Sequence, residues 1–332
     1  AGQVPHSTVS TQALSLIPIF ILIGYLAYHA GLTKSLFEAA KRWLGWLLGW
    51  LAVSTVFATA GFAAISGASV ATSAVFARIA IPEMQKIGYY KRFDARVVAA
   101  GGTLGSLIPP SILMIVWAVL TEQSIGALFI AGLIPGLILA VAFCGYCVIY
   151  AIRNPGCAPM MPAPSVTEAD PAELRRQSMG GLAILGLIGV VIGGIWGGFL
   201  PPTEAAGFGT MGAFLLGLAK GMTRHDVLEA IYSAGRTTAP IMILLIAASM
   251  YSRFLAMGGA TQVITDLLFS VSENPAVVLA IIFTVWVLLG MFIDSTSIIL
   301  LTVPIFGLFF FALFVKNPRP WAVWAGVISG TA

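Results

Sequence analysis

The chain has 332 residues, of which 59% are hydrophobic and only 9% charged, against about 25% charged in a soluble globular domain. So few charges cannot cover a water-facing surface of this size, which excludes a soluble fold and leaves a surface that faces lipid. The net charge of +4 is mild, and no Lys/Arg block of the nucleic-acid type occurs, so the basic excess reads as a bias among loops.

A membrane crossing needs roughly 20 mainly apolar residues. Taken in order, the predicted crossings are 12–29, 97–120, 124–150, 179–200, 204–220 and 237–257, with one more starting near Trp321. Segments 32–46 and 260–272 read as interfacial arms. In the first, Trp43, Trp46 and Trp50 accompany Lys41 and Arg42, as interface anchors do. Two stretches, 47–82 and 275–312, are too long for one crossing. Each has a polar, small-residue break near its middle, Ser66-Gly67-Ala68-Ser69 and Asp294-Ser295-Thr296-Ser297. Such a break predicts a re-entrant helical hairpin, because non-helical backbone at membrane depth persists only inside protein or beside water. Two short kinked spans are the other reading.

Orientation follows from Lys and Arg. With 47–82 re-entrant, segments 30–46, 83–96, 151–178 and 220–236 share one side and hold 13 of the 17 basic residues, while the opposite turns 121–123 and 200–203 have none. The basic side is cytoplasmic by the positive-inside rule. A single crossing at 47–82 would strand 30–46 on the other side. The 151–178 loop, with Pro155, Pro159, Pro162, Pro164 and Pro171, reads as a flexible cytoplasmic linker between two halves.

The halves, 1–150 and 179–332, repeat at a fixed offset. Pro18 matches Pro240 and Pro82 matches Pro304, both 222 residues apart. Each half runs span, arm, hairpin, loop, broken span. The first hairpin opens to the cytoplasm and the second outward, so the repeats are inverted. On this register the counterpart of Gly105 falls at or past Ala332. The chain is therefore expected to continue beyond its C-terminus, and Ala1 is not a natural start.

The chemistry sits at the breaks. Gly105-Ser106-Leu107-Ile108-Pro109-Pro110-Ser111 interrupts an apolar span, and paired prolines remove two backbone donors. The freed carbonyls suit a sodium ion, to which Ser66 and Ser69 can add hydroxyl oxygens; a proline kink satisfied by neighbouring hydroxyls is the plain alternative. Asp294 is a charge at bilayer depth, costing roughly 2.5–3.5 kcal/mol on insertion scales, unless it only caps a helix. Glu204 after Pro201-Pro202-Thr203 fits a helix start, and Arg78, Arg236 and Arg253 snorkel unless they attract an anion. Cys144 and Cys147 form Cys-x-x-Cys in an apolar run and read as small helix residues rather than a redox pair. The three histidines have no metal spacing, and no Walker or Gly-x-Ser-x-Gly motif occurs. An enzyme is not expected.

The sequence resembles the large membrane subunit, DctM-like, of tripartite ATP-independent periplasmic (TRAP) transporters. The resemblance rests on residues 16–24, Gly61–Thr72, Ile81-Pro82-Glu83-Met84, Gly101–Ser111, Thr121–Pro135, Pro202–Ala206 and Gly290–Pro304. It implies an all-α, inverted-repeat elevator transporter of a bacterial inner membrane. One sodium site is then expected at Ser66, Ser69 and the backbone of Gly105, Ile108 and Pro109. A second is expected at Asp294 and Thr296, completed by a segment past this chain. Substrate is expected near Thr72, Ser73, Thr103, Pro110 and Ser111. The resemblance further implies carboxylate substrates such as C4-dicarboxylates, a periplasmic substrate-binding protein and a small membrane subunit of the DctQ type, fused upstream or separate. The runner-up is an anion:sodium symporter that works without a binding protein.

Overall fold

The structure, a computed structural model, describes residues 12–121, 123–154, 171–258 and 275–293, with the single positions 156, 263, 270, 295, 297–299 and 302. Every described element is a helix: a short 3-10 turn (Gln12–Ser15), then α1 (Leu16–His29), α2 (Leu32–Leu44), α3 (Trp50–Ser66), α4 (Ser69–Lys86), α5 (Lys91–Thr103), α6 (Ile112–Thr121), α7 (Ile125–Arg153), α8 (Pro171–Trp196), α9 (Pro202–Ala219), α10 (Arg224–Met257) and α11 (Pro275–Gly290). Two compact units emerge. The larger comprises Ser15–Met114 and Ile125–Thr238; Ile115–Ser124 and the chain from Ala239 belong to the other.

In the larger unit, α1 ends at Gly31, whose φ of +66° turns the chain by 70° into the amphipathic arm α2. Leu32, Leu36, Phe37, Ala39 and Ala40 recur at helical spacing and are buried. This face lies against α3 and α8. The Ser54 hydroxyl ties α3 to the arm by donating to the Ala40 carbonyl at 3.1 Å.

The stretch 47–82 folds back on itself. Nested pairs connect the two legs: Thr55 with Met84 at 3.8 Å, Phe62 with Phe76 at 6.1 Å between ring centroids, and Ser66 with Thr72 at 3.1 Å. The reversal happens at Gly67, which ends α3 in the left-handed conformation (φ +63°) and donates its N–H to the Ala63 carbonyl. Phe76, fully buried, also meets Phe37 of the arm at 6.3 Å, so one ring joins arm and hairpin.

After Gly88 turns the chain (φ +92°), α5 runs along α4 and α3. It starts at Lys91, six residues before the predicted crossing. α10 likewise starts at Arg224 rather than 237. There Thr223 and Asp226 form a capping box: Thr223 N–H and hydroxyl donate to the Asp226 carboxylate at 2.8 and 2.7 Å, and Asp226 N–H donates back at 3.3 Å. Pro202 opens α9 at its first position, with exposed Glu204 in the first turn.

Among the described residues, three helical stretches are long and apolar enough to cross a membrane, Ile125–Arg153, Met179–Trp196 and Arg224–Tyr251, and the bent pair α1–α2 makes up to four. Only 17% of the apolar window of α7 is buried. Ile130, Ile134, Leu137, Ile138 and Val141 stand exposed along it. In water this face would be strongly unfavourable; in lipid it is the expected surface. The smaller unit holds an aromatic contact of its own, Trp117 edge-on to Trp286 at 6.4 Å.

Candidate cation and solute site

Four helix ends meet where the hairpin tip touches the broken span. α3 ends at Ser66 and α5 at Thr103, followed by a 3-10 turn over Leu104–Ser106; α4 begins at Ser69 and α6 at Ile112. The contact is direct. Ile112 N–H donates to the Gly67 carbonyl at 3.0 Å. The Pro110 carbonyl oxygen lies 2.5 Å from where a Cβ on Gly67 would stand. A Cβ on Gly105 would come within 3.0 Å of the Ser69 N and Cα. Glycine at 67 and 105 is what lets tip and break approach at backbone distance. The carboxyl ends of α3 and α5 bring partial negative charge to this point and the amino ends of α4 and α6 partial positive charge, a mixed field suited to a cation beside an anion.

Hydrogen bonding at the break is traceable residue by residue. In an unbroken helix the N–H groups at 109 and 110 would serve the carbonyls of Gly105 and Ser106. Both positions are proline, joined by a cis bond, so neither donor exists. Ser111 replaces one of them, donating its hydroxyl to the Ser106 carbonyl at 2.7 Å. The other, which would have served the Gly105 carbonyl, is absent because residue 109 is proline. Ile108 N–H and Leu107 N–H both go to the Leu104 carbonyl, at 2.8 and 3.1 Å.

The residues singled out from the sequence are thus placed as follows. Ser66, Ser69, Gly105 and Pro110 belong to one contact zone, with Pro109 and Ser111 beside them in the chain. Ile108, also at the break, is buried against Gly136 of α7. Ser66 and Thr72 are paired with each other and buried, so the two hydroxyls assigned to different ligands form one unit. Ser73 abuts Gly102 of α5. Thr103 is exposed and donates to its own helix at Ala100, 2.7 Å away. Asp294 and Thr296 lie outside the described residues, as does the Arg253 side chain; Arg78 and Arg236 are exposed. A small cleft near the tip, with room for little more than one water, is lined by Phe20, Ile23, Ala64, Ile65, Pro110, Leu187, Ile188 and Val191. Its apolar walls suit no charged solute.

One buried polar group escaped the sequence reading. Asp94 lies in the basic segment 83–96, yet it is fully buried in the first turn of α5. The amphipathic order Phe93-Asp94 followed by Val97-Val98, all four buried, was the available signal.

Lipid-exposed apolar helices around an interior of broken, polar backbone define a multi-pass membrane transport protein. The chain belongs to the family described as "Tripartite ATP-independent periplasmic transporter, DctM component", which matches it over residues 2–328. It is 35% identical over 301 residues to the C4-dicarboxylate TRAP transporter large permease protein DctM of Pseudomonas aeruginosa, covering 90% of this chain and 69% of that protein. Similarity to the sialic acid TRAP transporter large permease protein SiaM of Vibrio cholerae is 31% over 306 residues, 92% of this chain and 70% of that one. To the ectoine/5-hydroxyectoine TRAP transporter large permease protein UehC of Ruegeria pomeroyi it is 32% over 301 residues, 90% and 69%. These relatives are transporters named for different solutes, and this chain is a transport protein, not an enzyme.

Proposed function

We propose that the chain is the permease of a sodium-driven importer of organic anions, C4-dicarboxylates or related carboxylates, in a bacterial inner membrane. The observation that carries this reading is the broken backbone at Gly105, whose carbonyl loses its helical donor to Pro109 and whose Cα side is packed against the Ser69 backbone. A sodium ion prefers oxygen ligands. With that carbonyl, the backbone at Ile108 and Pro109 and the hydroxyls of Ser66 and Ser69 would supply the oxygens. An ion held there ties the tip to the break. Thr72, Pro110 and Ser111 are buried as long as tip and break touch, so a solute reaches them only when the two separate. Cation binding and solute access are coupled through one contact. The two hairpins, re-entrant from opposite sides, would move with their breaks as an elevator, with a second sodium site at Asp294 and Thr296. A periplasmic binding protein would deliver the solute and a small membrane subunit would complete the complex.

The test is uptake into liposomes by the full-length permease with its small subunit and binding protein. A sodium gradient is expected to drive uptake of a C4-dicarboxylate or a related carboxylate. Ser66→Ala is expected to weaken apparent sodium affinity about tenfold, the loss of one oxygen ligand at about 1.4 kcal/mol. Uptake that runs equally in potassium and is unchanged in Ser66→Ala removes the sodium reading. Uptake without the binding protein turns it to a self-sufficient anion:sodium symporter.

A further inference from the structure

The foot of the same hairpin holds a carboxyl group that no cation among the described residues neutralises. Asp94 is fully buried, and among the described residues neither of its oxygens has a partner in good hydrogen-bond geometry, the Gln85 amide and its own N–H acting on it from outside that geometry. The Tyr89 hydroxyl beside it is buried and likewise unpartnered. Helices α3, α4 and α7 pack on α5 around it. From α4 the group nearest in influence is the neutral Gln85 amide, and from the turn before α5 it is Tyr89. α7 brings Cys147 toward Tyr89, and stacks Tyr150 on Phe93 at 4.4 Å. α3 brings its backbone at Leu51 and Ala52 toward Tyr89. None of these is a cation. The basic residues of the same stretch, Lys86, Lys91, Arg92 and Arg96, are all exposed.

An ionised carboxylate sealed from water and from any positive charge is strongly disfavoured, and such a group takes up a proton instead. We propose that Asp94 is a proton-binding site: its carboxyl is protonated while α3, α4, α5 and α7 are packed as here, and loss of the proton loosens the joint where the hairpin hands over to the broken span. Burial pushes the carboxyl up to about 6, with hydrogen bonding from the Gln85 amide and from its own backbone N–H pulling only partly back, which puts the exchange close to physiological pH. The ligand is a proton rather than a metal ion, because the facing groups offer one amide and one phenol and no second carboxylate. Among the described residues no cluster of three His, Cys, Asp or Glu side chains suits a metal. The site is independent of the tip, so the permease has a second, proton-linked control at the other end of its hairpin.

The experiment uses the full-length protein in detergent and sodium-free potassium buffer. Infrared difference spectra between pH 5 and pH 8 are expected to show the C=O stretch of one protonated carboxyl, absent from D94N. Wild type is expected to melt a few degrees higher at pH 4.5 than at pH 8 relative to D94N, which keeps the shape without the charge. Identical spectra and parallel melting profiles in the two proteins overturn the proposal. So does a wild-type loss of stability at pH 8 that added sodium or a higher potassium concentration restores, since a metal ion is then the ligand. If D94N does not fold, the wild-type spectrum decides alone: a carboxyl band titrating in this range supports the proposal, and no such band overturns it.

Discussion

The two ends of the first hairpin treat buried polarity in opposite ways. At the tip, Ser66 pairs with Thr72, Ser111 with the Ser106 carbonyl and Ser106 with the Thr103 carbonyl. What the break leaves without its helical donor is a backbone carbonyl, that of Gly105. At the foot, two buried oxygens of Asp94 and one of Tyr89 have no partner in good hydrogen-bond geometry among the described residues. A surplus carbonyl is a neutral dipole and tolerates the absence of a ligand. A surplus carboxylate carries a whole charge and must change its protonation state when its surroundings close. The difference separates a place built for a cation that binds without titration from a place built to titrate.

The largest effect that would break this comparison is expected at the tip. Gly67→Val puts a β-branched side chain at φ +63°, where an L-residue costs about 1–2 kcal/mol, and drives its Cβ to 2.5 Å from the Pro110 carbonyl oxygen. Together these should cost about 4 kcal/mol. Thermal unfolding in detergent should show it, with uptake lost. A Gly67→Val protein that melts like wild type would mean that tip and break do not touch.

Next comes the foot, where the pH dependence has a definite sign. The Asp94 carboxyl is raised from 3.8 to about 6 in the folded protein. Its contribution to stability is therefore fully present below about pH 4, is lost as pH rises toward 6, and stays lost above. Two units correspond to about 3 kcal/mol at 1.36 kcal/mol per unit. Stability measured at closely spaced pH values, wild type minus D94N, should fall across that window and be level on either side.

A smaller effect, about 1–3 kcal/mol, is expected for Gly105→Ala. Its Cβ meets the Ser69 backbone at 3.0 Å, and backbone yields less readily than a side chain. The informative readout is sodium dependence. The added methyl pushes the Ser69 backbone away from the break at Gly105, so apparent sodium affinity should fall further than melting temperature does. Equal proportional losses would argue that Gly105 serves packing alone.

How much of this was legible follows from the kind of signal each feature left. The tip and the break announce themselves, because Ser66-Gly67-Ala68-Ser69 and Pro109-Pro110 are polar or helix-breaking residues in apolar surroundings. Hydrophobic runs mark where lipid is, however, not where a helix begins. α5 extends back to Lys91 and α10 to Arg224 through residues too polar to be counted as span. For α10 the cap Thr223-Arg224-His225-Asp226 was readable in advance. Asp94 was hidden by its neighbours: Lys91, Arg92 and Arg96 make the segment look solvated. Only the packing of Phe93 against Tyr150 and of α5 against α4 turns that one side chain inward. The Ser66–Thr72 pairing could not be read at all, since it depends on the turn at Gly67.

The smallest expected effect sharpens the foot. Glu83, near the end of α4, is held below the usual carboxylate range, first by its hydrogen bond from Lys86 at 2.9 Å, with Lys41 of the arm adding a weaker pull from 3.7 Å. A lowered carboxylate stabilises above its unfolded pKa, here 4.5, and that stability is lost as pH falls through the lower folded value. This slope is opposite to that of Asp94. Partly exposed pairs of this kind contribute only a few tenths of a kcal/mol, so the Asp94 slope hides it in wild type. In D94N it should surface as a slight loss of stability below pH 4.5. Adding Lys86→Met to D94N should remove most of it and Lys41→Met less, and moderate salt should do the same through screening. If the acid-side loss in D94N is as large as the Asp94 effect itself, other carboxylates dominate the foot, and assigning its titration to one buried side chain fails.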